Sequence, residues 1–166
     1  MIVTLSPSKG QDFDSPVSRQ AFTIPQQLDQ SELLVGALRE FDSDGIRELM
    51  SVSENIAELN VGRFSEFSTP FTPDNARQAL YAFKGDVYST IEADQYDDDD
   101  LAFAQAHLRI LSGLYGYLRP LDLIQPYRLE MKTRLRNPRG ENLYAFWDER
   151  ITDLLNRDLQ EQAEPV

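Results

Sequence analysis

The chain has 166 residues, of which 41% are hydrophobic, and a formal net charge of −12 at pH 7. That hydrophobic fraction can form a core and excludes a wholly disordered chain, and the absence of cysteine excludes disulfides and thiolate metal sites. Because no 18-residue apolar segment occurs and the amino terminus lacks a signal-peptide pattern, we expect a soluble, cytoplasmic protein with no membrane partner, folded as one domain over residues 1–166.

The amino-terminal part predicts one strand followed by helices. Residues 1–5, MIVTL, are rich in β-branched residues and precede the turn SPSKG, which is typical of a short buried strand. Residues 10–27 are polar, contain two prolines and predict an irregular arm. Apolar residues at helical spacing then predict a helix from Ser31, a short second helix in DSDGIRELMS, and a third helix with Ser53 as its N-cap.

The middle of the chain mixes helix and strand signals. Thr72 followed by Pro73 predicts the start of a fourth helix, and the apolar run LYAF after it fits a helix or a strand. Four consecutive aspartates, Asp97 to Asp100, precede the helical stretch LAFAQAHL. Carboxylates are favoured at the positive end of a helix, and the EF-hand pattern of a calcium site is absent.

The last third of the chain predicts a hairpin and one long helix. RILSGLYGYL favours a strand or hairpin, and RPLD a turn with an internal ion pair. ENLYAFWDERITDLLNRDL predicts a single amphipathic helix that buries Phe146 and Trp147 against a sheet. Strands at 1–5, 81–88 and 108–117, separated by helices, predict an α/β fold.

Positive charge is concentrated in one region of this acidic chain. Residues 1–100 hold 7 Lys or Arg and 19 Asp or Glu, whereas residues 101–150 hold 8 and 5, a net charge of +3. In that region Gly113 and Gly116 permit close backbone approach. Beyond them cations recur at Arg128, Lys132, Arg134, Arg136 and Arg139. These cations either line a phosphate-binding groove or offset the acidic body in surface ion pairs.

Three smaller features have both a chemical and a structural interpretation. Ser6 and Lys9 have the S-x-x-K spacing in which a lysine activates a serine nucleophile, but a phosphate-holding turn or a plain turn also fits. Lys84 and Asp86 flank a glycine and either line a cleft or face water at the end of an element. His107 is the only histidine, so we expect no protein-ligated transition metal and predict no cofactor.

The motifs SPSK, FTPDNARQALYAFKGDVY, AQAHLRILSGLYGYLRPLDLIQPYRLEM and NLYAFW resemble the peroxide-stress protein YaaA family along nearly all of the chain. The resemblance implies a mixed sheet with surrounding helices, a basic cleft, and a bacterial cytoplasmic protein linked to peroxide resistance and to lower free iron. It implies no established reaction. It also implies further strands and a Lys- and Arg-rich segment beyond residue 166, so we expect an incomplete carboxyl-terminal part.

DNA binding through a helix-hairpin-helix element is also implied by this resemblance. The best candidate for that element is residues 45–59, where two short helices would meet at Val52 and Ser53. The usual hairpin glycines are missing, and nearby carboxylates such as Glu54 and Glu58 would repel a phosphate. A purely structural helix pair therefore stays open as the alternative.

We accordingly expect a peroxide-stress protein that binds DNA without sequence specificity and helps to limit iron-driven damage. The predicted phosphate contacts are Lys9, Arg63, Lys84, Arg109, Gly113, Gly116, Arg119, Arg128, Lys132 and Arg134. The alternative is an enzyme acting on a phosphorylated or nucleotide substrate, which requires Ser6, Lys9, Lys84 and Asp86 to converge in one cleft. Direct iron chelation is disfavoured, because no set of histidine and carboxylate ligands is visible.

Overall fold

A computed structural model describes residues 1–162. The strands are β1 (Val3–Leu5), β2 (Gly10–Gln11), β3 (Arg77–Gln78), β4 (Phe83–Lys84), β5 (Leu108–Ser112), β6 (Gly116–Leu118) and β7 (Leu123–Ile124). The helices are α1 (Leu28–Leu38), α2 (Ser43–Met50), α3 (Glu54–Glu66), α4 (Ala79–Ala82), α5 (Asp86–Ser89), α6 (Asp98–His107), α7 (Leu143–Trp147) and α8 (Arg150–Glu161), with a 3₁₀ turn at Ala93–Gln95.

The central sheet has the order β1-β5-β6, with β1 parallel to β5 and β5 antiparallel to β6. Two further antiparallel pairs, β2 with β4 and β3 with β7, lie outside that sheet. The predicted α/β class with a mixed sheet and surrounding helices is therefore confirmed. The predicted strand or hairpin after α6 is the β5–β6 hairpin. The predicted burial of the first strand is wrong, because β1 lies at one edge of the sheet and leaves Val3 and Thr4 exposed.

The predicted helix starts are largely correct. Ser53 caps α3 by accepting a hydrogen bond from the Ile56 N–H at 3.4 Å. Asp97 caps α6 in a reciprocal capping box with Asp100, as the run of aspartates indicates. The predicted start of the first helix at Ser31 is wrong: α1 begins at Leu28 after the N-cap residue Gln27, and Ser31 is buried inside the helix, where its hydroxyl donates to the Gln27 carbonyl.

Two predictions in the middle of the chain are wrong. Thr72 begins only a single turn and no continuing helix. The strand predicted over 81–88 reduces to the two residues of β4, between the helical turns α4 and α5. Contacts with distant residues hold this segment, because the Lys84 N–H donates to Ser8 Oγ at 3.0 Å and the Ala82 carbonyl accepts from the Asp12 N–H at 2.7 Å.

The long helix predicted near the carboxyl terminus is divided into α7 and α8. The break lies at Asp148, whose backbone has φ +46° and ψ −125°. Before the break, Phe146 and Trp147 are 0% and 2% exposed, which confirms their predicted burial. After the break, α8 runs in a direction that allows Asp158 to reach the sheet.

A buried ion pair anchors α8 to the central sheet. Arg109 on β5 donates to Asp158 from Nε at 2.9 Å and from Nη2 at 2.7 Å, and the Tyr117 hydroxyl on β6 donates to the same carboxylate oxygen at 2.8 Å. Arg109 and Asp158 are only 5% and 7% exposed. Burial opposes ionisation of Asp158, but the hydrogen bonds from Tyr117 and Arg109 outweigh it, so the pKa of Asp158 is lowered.

We predict that this pair makes stability depend on pH. Since the folded-state pKa of Asp158 lies below its unfolded value, the stabilisation is complete above a pH of about 4 and is lost as the pH falls through the folded-state pKa. Asp158→Asn should lower the free energy of unfolding by about 3 kcal/mol at pH 7, because Arg109 is left buried and unpaired. Urea unfolding measured from pH 7 to pH 2.5 should show this difference shrinking below about pH 4.

The control is Glu141→Gln, since Glu141 pairs with Arg136 at 3.4 Å where both side chains are exposed. That variant should stay within about 0.5 kcal/mol of the parent. A pH-independent effect of Asp158→Asn would mean that its charge does not stabilise the fold.

Candidate functional site

A cleft of about 640 Å³ lies at the carboxyl ends of the two parallel strands. Its lining comes from residues 6–9 after β1, from Gly113 after β5, from the chain between Tyr127 and Lys132, and from α7 and the start of α8. In open α/β sheets, ligands bind outside the carboxyl ends of the strands. The cleft is therefore where this fold favours a binding site.

Backbone and side-chain hydrogen bonds fix the loop that follows β1. The Tyr88 hydroxyl donates to the Ser6 carbonyl at 2.7 Å, and the Lys84 N–H donates to Ser8 Oγ at 3.0 Å. Ser8 in turn donates to the Gly10 carbonyl. Lys9 extends from this turn into solvent, and its Nζ lies 3.6 Å from Glu130 Oε1. The SPSK motif thus forms a braced turn beside the cleft.

The four residues of the enzymatic alternative do not converge. Ser6 and Lys9 line the cleft, whereas Lys84 and Asp86 are exposed and lie outside its lining. Lys84 Nζ instead lies 3.8 Å from a carboxylate oxygen of Asp12. Hydrogen bonds from Ser15, together with the backbone of Asp14 and the charge of Arg77, hold the pKa of Asp12 well below its usual range. The geometry that the enzymatic alternative requires is therefore not present.

The segment of residues 128–136, called here the basic segment, presents its cations to solvent. Its exposed cations are Lys132, Arg134 and Arg136, and they alternate with the buried residues Thr133 and Leu135. Arg128 and Lys132 line the cleft, and Arg134 lies further along the exposed side. Arg128, Lys132 and Arg134 form no ion pair within residues 1–162.

Both glycines of the predicted groove floor are buried and serve packing. A Cβ on Gly113 would lie 2.2 Å from the Leu129 carbonyl oxygen, so the basic segment contacts the hairpin turn directly. Gly116 has φ +68°, and a Cβ there would lie 2.4 Å from Gln27 Oε1 and 2.7 Å from Trp147 Cζ3. Gly113 lines the cleft, but Gly116 is covered by Trp147 and does not reach it.

Three other predicted phosphate contacts lie outside the cleft. Arg109 is buried in its pair with Asp158 and, with Arg119, lines a separate cavity of about 760 Å³. Arg119 Nη2 lies 2.9 Å from Asp122, which confirms the predicted ion pair in the RPLD turn. Arg63 on α3 lines a separate, smaller cavity. The structure therefore brings together Lys9, Gly113, Arg128 and Lys132 from the predicted set.

The candidate helix-hairpin-helix element is a helix pair, α2 and α3, joined through Ser51 in the left-handed conformation. Ser53 Oγ accepts a hydrogen bond from the Ile56 N–H, which is one of the donors that a phosphate would use. The first-turn residues Asp44 and Glu54 bring carboxylates to the starts of both helices. The pair lies outside the cleft.

Tyr144 is a cleft residue that the sequence interpretation missed. It lines the cleft from α7 and is 65% exposed, although its neighbours Leu143, Phe146 and Trp147 are buried. The available signal is the pattern NLYAFW, in which a large aromatic residue stands at a polar-facing position of a helix. The cleft lining also includes the carboxylates of Glu130 and Asp148, so it is only partly basic.

Residues 1–162 contain neither a cluster of metal ligands nor a helix that could span a membrane. No group of three or more His, Cys, Asp or Glu side chains in that range is arranged to hold a metal ion. None of the described helices is both long and apolar enough to cross a membrane.

We predict that Gly113→Ala will disrupt the cleft. The added methyl group would overlap the Leu129 carbonyl, so the basic segment must move, at a cost of about 1–3 kcal/mol or more. Urea unfolding measures the cost, and fluorescence of Trp147, the single tryptophan, reports the local change.

The matched control is Gly36→Ala in α1, where an added Cβ meets nothing within 4 Å. That variant should be stabilised by about 0.5–1 kcal/mol, as for glycine to alanine inside an exposed helix. Equal effects of the two variants would contradict the close contact at Gly113.

Two comparisons with known proteins agree. Residues 1–166 match the family described as Peroxide stress protein YaaA. A UPF0246 protein of Alteromonas mediterranea is 54% identical over 166 residues, an alignment that covers 100% of this chain and 64% of the relative. The chain therefore spans less than two thirds of the length of that relative.

Proposed function

The chain belongs to the peroxide stress protein YaaA family, and we propose that it acts in the peroxide stress response by binding DNA in the cleft without sequence specificity. Membership of the family supports a role in peroxide stress. DNA as the partner, phosphate as the recognised group and the limitation of iron-driven damage are the parts that we propose.

The observation that carries this proposal is the set of unpaired cations beside the cleft. Arg128, Lys132 and Arg134 have no ion-pair partner within residues 1–162, although the chain carries a net charge of −12. Arg128 Nε is also buried without a hydrogen-bond partner in the same range. The Nε atom itself has almost no accessible surface, so a phosphate oxygen would bind at the terminal nitrogens of the guanidinium in a charge-assisted hydrogen bond.

The charge distribution limits the kind of binding that this surface supports. The acidic body repels a polyanion at a distance, so attraction must come from contacts inside the cleft. Phosphate contacts carry no base identity, which predicts affinity that is similar for every sequence. Such binding weakens steeply as salt rises, because each contact releases counterions from the nucleic acid.

Counterion release also provides a physical route to protection from iron. Ferrous ions are held at DNA phosphates in the same way as other counterions, and a protein cation that neutralises a phosphate displaces them. Peroxide then meets less iron at the bound stretch of DNA. This route requires no metal site on the protein, and it needs only that the cations of the basic segment reach phosphates.

We predict that Arg128→Ser/Lys132→Ser/Arg134→Ser will flatten the salt dependence of DNA binding. Each lost phosphate contact reduces the magnitude of the log–log slope by about 0.9 for duplex DNA, so the triple variant should lose roughly 2 to 3. The measurement is fluorescence anisotropy with duplexes of unrelated sequence, from about 50 to 200 mM salt.

The matched control is Arg19→Ser/Arg47→Ser/Arg157→Ser, which removes three cations that lie outside the cleft. It changes the net charge equally and should keep the parental slope. Equal slopes for the two triple variants would show that only net charge matters and would contradict the cleft as the binding surface.

A further inference from the structure

We propose that the cleft holds one unpaired nucleotide, with its base stacked on the Tyr144 ring and its phosphate on Arg128 and Lys132. This inference rests on the proposed function, because it assigns a substrate class to the same cleft. It goes beyond phosphate binding, since it predicts a preference for unpaired strands over intact duplex.

The placement of Tyr144 is the first observation. α7 is held in place by Asn142, whose side chain accepts a hydrogen bond from the Ala145 N–H at 2.9 Å, and by the burial of Leu143 and Trp147. On this anchored turn, Tyr144 is 65% exposed. Its hydroxyl makes no hydrogen bond within residues 1–162. The ring therefore leaves apolar area open in a cleft that also contains cations, which is the combination that single-stranded nucleic acid recognition uses.

The size and lining of the cleft are the second observation. Its volume of about 640 Å³ lies within the usual range of about 300–1,000 Å³ for small-molecule sites. Glu130 and Asp148 are among its lining residues, and their carboxylates would serve as acceptors for exocyclic amino groups of a base. A paired base cannot reach such a ring, because both its faces are covered inside the duplex stack. An unpaired nucleotide can use the cations, the ring and the acceptors together.

The test compares single-stranded and duplex DNA. The probes are a fluorescein-labelled deoxycytidine oligonucleotide, whose bases carry an exocyclic amino group, and a labelled duplex of mixed sequence, both titrated by anisotropy with the full chain at low salt. Tyr144→Ala should weaken single-strand binding by about 5- to 150-fold, the effect of losing one stacked base. Tyr144→Phe should bind like the parent, and duplex affinity should change less than about twofold in both variants.

The control is Phe103→Ala on α6, because Phe103 is also 65% exposed but does not line the cleft. It should leave single-strand affinity unchanged. As a second readout, a strand with one 2-aminopurine should lose fluorescence on binding to the parent and to Tyr144→Phe, but not to Tyr144→Ala. Thermal melts of all variants check that they remain folded.

The outcomes separate this inference from the proposed function. If duplex DNA binds but Tyr144→Ala leaves single-strand affinity unchanged, or weakens both probes equally, the stacking inference is overturned and phosphate binding survives. If the parent binds neither probe at low salt, the proposed function and this inference are both overturned.

Discussion

The indole of Trp147 joins the parts of the chain that form the cleft. Its Nε1–H donates to the Gly113 carbonyl at 2.9 Å, and its ring lies against Gly116, where any side chain would collide with it. Gly113 also contacts the backbone of Leu129, at the start of the basic segment. The β5–β6 hairpin turn is therefore held between α7 and the basic segment. Because both contacts depend on an absent Cβ, the two glycines determine the distance between the cations and the aromatic side chains of the cleft.

This arrangement explains why an acidic protein collects cations in one region. Lys132 and Arg134 alternate with buried residues of the basic segment, so the same backbone that packs against the core presents positive charge outward. The remaining arginines of residues 101–150 have other uses, such as Arg109 in its buried pair with Asp158. The sequence left two possible roles for these cations, phosphate binding and charge balance, and the cations differ in which of the two roles their positions allow. Some cations balance carboxylates inside the fold, and others stay available to a phosphate.

The sequence predicts those features whose signals are local. The N-cap at Ser53, the aspartates before α6 and the hairpin at the glycines follow from residues a few positions apart. The single helix predicted through Asp148 was wrong, because the backbone of Asp148 leaves the helical conformation. The strand predicted over 81–88 was wrong, because contacts with distant residues shape that backbone. Prediction of the site residues failed for the same reason. The partner of Arg109 lies 49 residues away, and the predicted long helix gave no reason to single out Tyr144.

The most direct measurement is an NMR titration of the ¹⁵N-labelled chain with a short DNA duplex that carries an unpaired nucleotide. The single tryptophan gives one indole N–H signal, which reports on the cleft without ambiguity. We predict chemical-shift changes at that signal, at Gly113, in residues 6–9 and in the basic segment, and none in α2 and α3. Changes confined to the α2–α3 helix pair, with the Trp147 indole signal unmoved, would contradict the assignment of the cleft as the DNA-binding surface.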